Sequence, residues 1–510
     1  MQLELSNLDL SNPGQLTVAL VPEIFLTVWS MVLLVVCAWR HRGDDDQRLV
    51  GLLAFVGFAV TLLIVLTMWW SRVGTLGLAG MVAVDEFRFA SDAIFLLGSL
   101  IAVALSLGYN SREKILIPEY YPLLAFATIG MMFMGGGSDL IVIFLGLELM
   151  SIAAYVLAGI NRRSAFAVEA ALKYFLLGAF ASGFLVYGIA LIYGATGTTN
   201  LSLIRFQVES LQLGSNAMLI LGVGMLLIGF GFKVAAVPFH MWAPDVYDGS
   251  PTPVTTYMAT AVKAAGFAAL VRISVHAFGA SVDVWRDIVW WLAALTMIGG
   301  NLLALAQRHL KRMLAYSSIA HAGYILVAVA SGTHVGASAF LFYIFIYTLM
   351  TAGAFAILIA TGRKGEREVL IDSFAGLASQ RPWMALAMSV FMLSLLGFPG
   401  TAGFIGKWYI LSGAVQEGLY SLAVVLVVGS VISAGYYLPV IMAMYMKPAD
   451  SETAHSASVV AGGVRWVVTV ATVLLLLFGV WPNRVLSVAS DGARNFAPQE
   501  AVAVLPAEHE

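Results

Sequence analysis

The sequence predicts an all-α polytopic membrane protein of about 14 transmembrane helices, arranged as two inverted five-helix repeats that each contain one broken helix. Three observations carry that prediction. The 510 residues are 60% hydrophobic and only 11% charged, with a mean hydropathy of +0.90, whereas soluble domains carry about 25% charged residues. Apolar runs long enough to cross a hydrocarbon core about 30 Å thick follow one another along the whole chain, separated by short Gly-, Pro-, Asn- or Asp-marked connections. Four of the eight lysines, Lys173, Lys233, Lys263 and Lys407, lie inside or at the edge of those runs.

Composition also excludes several function classes. A net charge of -2 argues against nucleic acid as a partner. The one cysteine, Cys37, allows neither a disulfide framework nor a thiolate-held iron–sulfur cluster within the chain. The eight histidines are scattered without metal-ligand spacing, so no haem, zinc or other metal site and no redox cofactor is expected. Met1 to Gln15 lacks a basic n-region and a small-residue cleavage site, so the first apolar run is expected to remain as a span.

The spans are expected near 16–39, 49–70, 90–108, 116–135, 139–160, 166–193, 216–243, 253–275, 284–304, 311–331, 336–361, 383–415, 420–446 and 464–482. They divide into an N-terminal three-helix segment (1–115), a first repeat of spans 4–8 (116–275), a second repeat of spans 9–13 (284–446), and a last helix with a polar tail (447–510). The acidic run Asp44–Asp46 is read as a solvated loop, and residues 490–510 as lying outside the bilayer. With the N-terminus outside, inner loops hold 16 of the 27 Lys and Arg, including Arg40, Arg42, Arg162, Arg163, Arg308, Lys311, Arg312, Arg363, Lys364 and Arg367. Outer loops hold 7, among them Arg72. The positive-inside rule therefore puts both termini on the outer side.

Charge inside an apolar run is costly, and intramembrane ionisable groups mark transport paths by default. Glu148 lies about ten residues from either end of the fifth span, with Lys173 a plausible partner across a short hairpin. Lys173 also reads as a structural ion-pair residue or a lysine snorkelling to the inner interface. Lys263 is ten residues past Pro253, roughly 15 Å along a helix, which is the middle of the membrane. Lys233 and Lys407 sit beside helix breakers, Pro238 in FKVAAVPFHMWAP and Gly397, Pro399 and Gly400 in SLLGFPGTAGFIGKWYIL. Broken helices at membrane depth in matching positions of two halves mark inverted-repeat transporters. These two are five spans apart and run in opposite directions. His321, in YSSIAHAGY between Lys263 and Lys407, titrates in a suitable range, and Ser317, Ser318 and Tyr324 extend a hydrogen-bonded path from it; a core histidine satisfying a carbonyl is the rival reading. His240, just after the first break, reads equally as a relay or a structural residue. Glu23 and Asp92 are read as capping or interfacial residues near the outer surface.

The segments KVAAVPFHMWAPDVYDGSPTPVTTYMATAVKAAGF, RMLAYSSIAHAGY and GFPGTAGFIGKWYIL resemble the antiporter-like membrane subunits of respiratory complex I, over roughly spans 4 to 13. Lysine at 407 separates the chain from subunit M-like members, expected to have glutamate there, and the lack of a long C-terminal lateral helix separates it from subunit L. The resemblance implies a proton-translocating subunit of the bacterial inner membrane, with other complex I membrane subunits, the lipid bilayer and protons as its partners. Glu148 and Lys233 would form the charged pair of the first unit with Lys173 beside them, Lys263 the central connecting lysine, and Lys407 the terminal lysine of the outward half-channel. NADH, FMN, iron–sulfur clusters and quinone would be handled by other subunits, and none in this chain. The alternatives are a subunit of a multi-subunit cation/proton antiporter of the Mrp type, a subunit of a related hydrogenase-type or ferredoxin-linked complex, and a membrane scaffold whose charges serve helix packing.

Overall fold

The computed structural model describes residues 13–39, 43–71, 80–362, 370–448 and 460–494, with a two-residue parallel strand pair formed by 8–9 and 75–76. Arg40, Arg42, Arg72, Arg363, Lys364, Arg367 and the tail beyond 494 lie outside the described residues. The chain begins with helices α1 (Pro13–Ala19), α2 (Val21–Trp39), α3 (Asp44–Trp70), α4 (Glu86–Glu113), α5 (Tyr120–Gly136) and α6 (Leu140–Ala158). Next come α7 (Ala165–Thr196), the short α8 (Leu201–Ser210), α9 (Ala217–Val234) and α10 (Ala243–Gly249). Helices α11 (Thr252–Tyr257) and α12 (Lys263–Arg272) are parts of one rod, joined by a π-helical turn at Met258–Val262. The second half holds α13 (Arg286–Leu305), α14 (Leu310–Ser331), α15 (His334–Thr361), α16 (Leu377–Gln380), α17 (Pro382–Leu396) and α18 (Ala402–Gln416). It closes with α19 (Tyr420–Met446), α20 (Gly462–Val480) and α21 (Asn483–Gly492).

Among the described residues, 12 helical rods are long and apolar enough to cross a membrane, while α5 and α17 are apolar but shorter. Together they fall on the 14 expected positions. Helix starts follow the polar caps in the sequence: Asp85, Asp139, Ser164, Asn200, Asn216 and Thr333 each accept a backbone N–H from the first turn with their side chain. One start differs from expectation. The backbone of Asp44–Asp46 opens α3 instead of forming a loop.

The rod Thr252–Ala277 is buried along its whole length and α14 and α15 nearly so, whereas α2, α7, α19 and α20 line the outside. Close crossings use glycine. A Cβ on Gly130 would stand 2.5 Å from the Gly146 carbonyl between α5 and α6, and one on Gly188 would stand 2.8 Å from the Gly222 carbonyl between α7 and α9. A Cβ on Gly300 would stand 2.5 Å from the Ala320 nitrogen between α13 and α14. Without a hydrophobic drive between helices in lipid, such small-residue contacts supply the packing.

Both interruptions are present, and protein groups satisfy them. After α9, Ala235 takes a left-handed φ of 59° and the Val237–Pro238 peptide is cis. The Val237 N–H donates to Thr296 Oγ1 at 2.8 Å, and the indole N–H of Trp242 donates to the Phe232 carbonyl at 2.8 Å. Between α17 and α18, Gly397 and Gly400 flank Pro399 with φ of 85° and 90°. Here the Gly403 N–H donates to Ser394 Oγ at 3.1 Å. Unwound backbone at membrane depth needs such partners.

Candidate functional site

Lysines 233, 263 and 407 are all buried, and each ammonium is held by neutral oxygens instead of a carboxylate. Lys233, in the last turn of α9 before the break, donates to Ser151 Oγ on α6 at 2.7 Å and to Tyr174 Oη on α7 at 3.4 Å. Its ammonium also lies 5.5 Å from the Tyr174 ring and 6.0 Å from the Tyr155 ring, within cation–π range. Trp242 stacks on Tyr174 with ring centres 4.5 Å apart, which ties the unwound segment to this pocket.

Glu148 lies on α6, three residues before Ser151, and accepts from Ser182 Oγ on α7. No direct ion pair joins Glu148 to Lys233 among the described residues. Instead, a void of about 10 Å³ is lined by Ser151, Ser182 and Lys233, room for about one water.

Lys263 follows the π-helical turn, a distortion frequent at functional sites. It donates to the Ser318 carbonyl at 2.7 Å and also to Ser318 Oγ, which in turn accepts from Tyr347 Oη at 2.8 Å. One residue earlier on α14, Ser317 bonds to Tyr437 of α19, and Tyr437 Oη reaches His321 Nε2 at 3.1 Å. The other ring nitrogen of His321 is 2.8 Å from Tyr343 Oη on α15. Beyond it, Lys407 caps the first half of its own broken span by donating to the Leu396 carbonyl at 3.0 Å, and its ammonium stands 4.4 Å from the centre of the Tyr324 ring. Tyr324 Oη accepts from Asn301, whose amide oxygen accepts from Tyr436 Oη at 2.8 Å. Serine and tyrosine hydroxyls and the neutral imidazole both donate and accept, so this set can hand on a proton where a carbonyl alone cannot.

Two expected residues stand apart from that line. Lys173 does not reach Glu148; it is partly exposed and bridges Glu169 at 2.7 Å and Asp245 at 2.9 Å. It sits at the mouth of a cavity of about 470 Å³ lined also by Asp248, Lys311 and Arg312, on the face of the basic loops. Arg312 bridges Asp245 as well, at 2.9 Å. Burial works to raise the Asp245 carboxyl, but the bonds from Lys173 and Arg312 outweigh it and hold the group below the ordinary carboxylate range. His240 lies half-buried in the first break, and its Nδ1 has no hydrogen-bond partner among the described residues.

Ser151, Tyr174, Ser182, Asn301, Tyr343, Tyr347, Tyr436 and Tyr437 do not stand out in the sequence. Their one sequence signal is a hydroxyl or amide inside an apolar run, and it does not say which helix faces which. Glu23 and Asp92 correct the sequence reading. Glu23 does lie in the first turn of α2, but both side chains are buried in protein beside Arg88 instead of facing solvent.

The chain matches the family described as NADH:quinone oxidoreductase/Mrp antiporter, TM, over residues 137–433. A relative from Trichlorobacter lovleyi, named NADH-quinone oxidoreductase subunit N, is 47% identical over 475 residues, which is 93% of this chain and 96% of the relative. A chain of respiratory complex I from Thermus thermophilus superposes with a TM-score of 0.77 at 36% identity, covering 92% of this chain and 99% of that one. A chain of the Mrp complex from a Dietzia species superposes with a TM-score of 0.83 over 94% of this chain and 98% of its own, but at 22% identity this is a likeness of fold alone.

Proposed function

Because the chain belongs to the NADH-quinone oxidoreductase subunit N family, we propose that its buried lysines carry protons through the membrane arm of that complex. It is a proton-translocating, multi-span membrane subunit of a bacterial complex I, with the other membrane subunits and the bilayer as its partners. Redox chemistry belongs to other subunits of such a complex, and this chain works without a cofactor of its own. The observation that carries the relay is the position of Lys263. It is buried on the fully enclosed rod and bonded to Ser318, one residue from the Ser317–Tyr437–His321 chain.

Protons enter from the basic-loop face, the cytoplasmic side, through the cavity at Lys173 and Asp245. Glu148 and Lys233 form the first unit, exchanging a proton across Ser182, Ser151 and the small void between them. Lys263 connects the halves, His321 and its tyrosines continue the line, and Lys407 releases the proton outward. His240 is a structural residue of the break. Both termini lie on the periplasmic side, and spans 4–8 and 9–13 form inverted repeats after an N-terminal segment of residues 1–115, with a last helix and tail over 447–510. Supporting the repeat, α5–α6 and α13–α14 both cross at glycine, and the seventh and twelfth spans are both broken. Lys233 precedes its break and Lys407 follows its own.

The test is Lys263→Ala in the purified complex, reconstituted into vesicles. The relay requires assembly to survive while protons moved per NADH oxidised fall at least twofold. An unchanged proton yield removes Lys263 from the path.

A further inference from the structure

Away from the lysine line, α2, α4 and α12 enclose a second set of charges near the face opposite the basic loops. Arg88 and Asp92 are wholly buried and Glu23 is nearly so. Arg88 Nη2 is 2.5 Å from Glu23 Oε1, and its Nε is 3.5 Å from Asp92 Oδ2. Arg88 also donates to the carbonyls of Ala83 at 2.9 Å and Ala19 at 3.1 Å. Beside it, Arg272 donates to both oxygens of Asp85 at 2.7 and 2.9 Å and to the Gly135 carbonyl at 2.7 Å.

Counting charge across this site leaves an imbalance. Glu23, Asp85 and Asp92 are three carboxyls, and Arg88 and Arg272 are two guanidiniums that stay charged. Among the described residues, the ion pairs of the surrounding elements do not correct it. His276, at the end of the α12 rod, bonds to Ser202 of α8 at 3.1 Å. Arg205 of α8 is paired with Glu209, and Asp491 of α21 with Arg494. Glu86 lies half-buried at the edge. An unpaired charge buried this deeply neutralises instead, so one of the three carboxyls holds a proton.

Geometry says which. Asp85 caps α4, accepting the Arg88 N–H at 2.8 Å as well as both Arg272 bonds, and its side chain is 19% exposed. Burial works to raise it, but Arg272 outweighs burial and holds it below the ordinary carboxylate range. Glu23 has the close contact to Arg88. Asp92 has no hydrogen bond to either oxygen among the described residues, and Ser91 Oγ beside it is also unpartnered.

We propose that Asp92 is a proton-carrying group of this subunit, sharing one proton with Glu23 across Arg88. The idea rests on the reading of the chain as a proton-translocating subunit. In the arrangement seen, the proton is on Asp92 and Arg88 neutralises Glu23. In the alternative, the Asp92 O–H bond breaks, an O–H bond forms on Glu23, and Arg88 turns to the Asp92 carboxylate. No net charge moves into the site in either state, so the exchange avoids a buried unpaired ion. Arg272 lies nine residues beyond Lys263, about 13 Å along the same rod, so the central lysine and this site share one rigid element.

The experiment uses the intact purified complex with Asp92→Asn and Glu23→Gln, read by infrared spectroscopy of the protonated-carboxyl C=O band and by proton yield per NADH in vesicles. Asp92→Asn replaces a neutral acid by a neutral amide of the same shape. It is expected to assemble, to lose one C=O band, and to lower the proton yield at least twofold. Glu23→Gln is expected to lose the same band, because two carboxylates then face two guanidiniums and Asp92 ionises. A parental band or a parental proton yield in Asp92→Asn overturns the proposal. So does failure of Asp92→Asn to assemble when Asp92→Glu assembles, which marks an ionised structural partner of Arg88. Lys263→Ala measured alongside separates the two ideas: a parental yield there sinks the lysine line and not this site.

Discussion

Lys233 donates to Ser151 Oγ at 2.7 Å across 82 residues of sequence, and that hydroxyl stands three residues from Glu148 on α6. The lysine and the carboxylate do not form a closed ion pair: each is held by a serine hydroxyl, Ser151 for Lys233 and Ser182 for Glu148, on the edge of one small void.

Ser151→Ala tests that joint. It removes the closest acceptor of a buried ammonium, a bond to a charged group worth about 1.5–3 kcal/mol, and leaves the 3.4 Å bond to Tyr174 Oη and the two tyrosine rings. The complex is expected to assemble on a native gel while proton yield per NADH falls severalfold in reconstituted vesicles.

Tyr437→Phe tests the second half. The ring stays and the hydroxyl joining Ser317 to His321 goes. NADH oxidation in uncoupled membranes is expected to change less than twofold, and proton yield to drop by more than that. Equal yields would show that protons bypass His321 Nε2.

Gly397→Ala tests the second break. Gly397 holds φ at 85°, where a side chain is strained, and an added Cβ would stand 2.9 Å from Cδ of Lys407. Strain in such backbone costs about 1–3 kcal/mol, and Lys407 must shift off the Leu396 carbonyl. Lower thermal stability of the purified complex together with reduced proton yield is the expected result.

Asp245→Asn tests the mouth at the basic-loop face through pH. The Asp245 carboxyl lies below its ordinary value of 3.8 in the folded protein. A depressed carboxyl contributes stability that is complete above that ordinary value and is lost as pH falls through the folded value. Amide exchange in α10 is therefore expected to be faster in Asp245→Asn than in the parent at neutral pH, with the difference closing only below about pH 3.8. A difference that is already gone at pH 5 would contradict the clamp by Lys173 and Arg312.

The spans, both breaks and the buried lysines were legible in the sequence, each for a physical reason. A membrane demands about 20 apolar residues per crossing, proline and glycine announce unwound backbone, and a lysine such as Lys263 stands out because charge is so costly there. The partners were not legible. His321 and Tyr437 are 116 residues apart, and neither hydroxyl nor ring carries a mark of the other. Glu23 and Asp92, close to span ends, looked interfacial because sequence position gives depth along a helix and not what lies beside it.

The sequence by itself determined that this chain is a bundle of membrane helices with ionisable groups held at depth. Only the tertiary structure decided which groups meet: Lys233 with Ser151, Lys263 with Ser318, Lys173 with Asp245 and not Glu148, and Arg88 between Glu23 and Asp92. The reason is that lipid is as apolar as the interior of the bundle. A helix face turned to lipid and one turned to another helix therefore read alike in sequence, and the periodicity that reveals the inner face of a soluble helix is silent here.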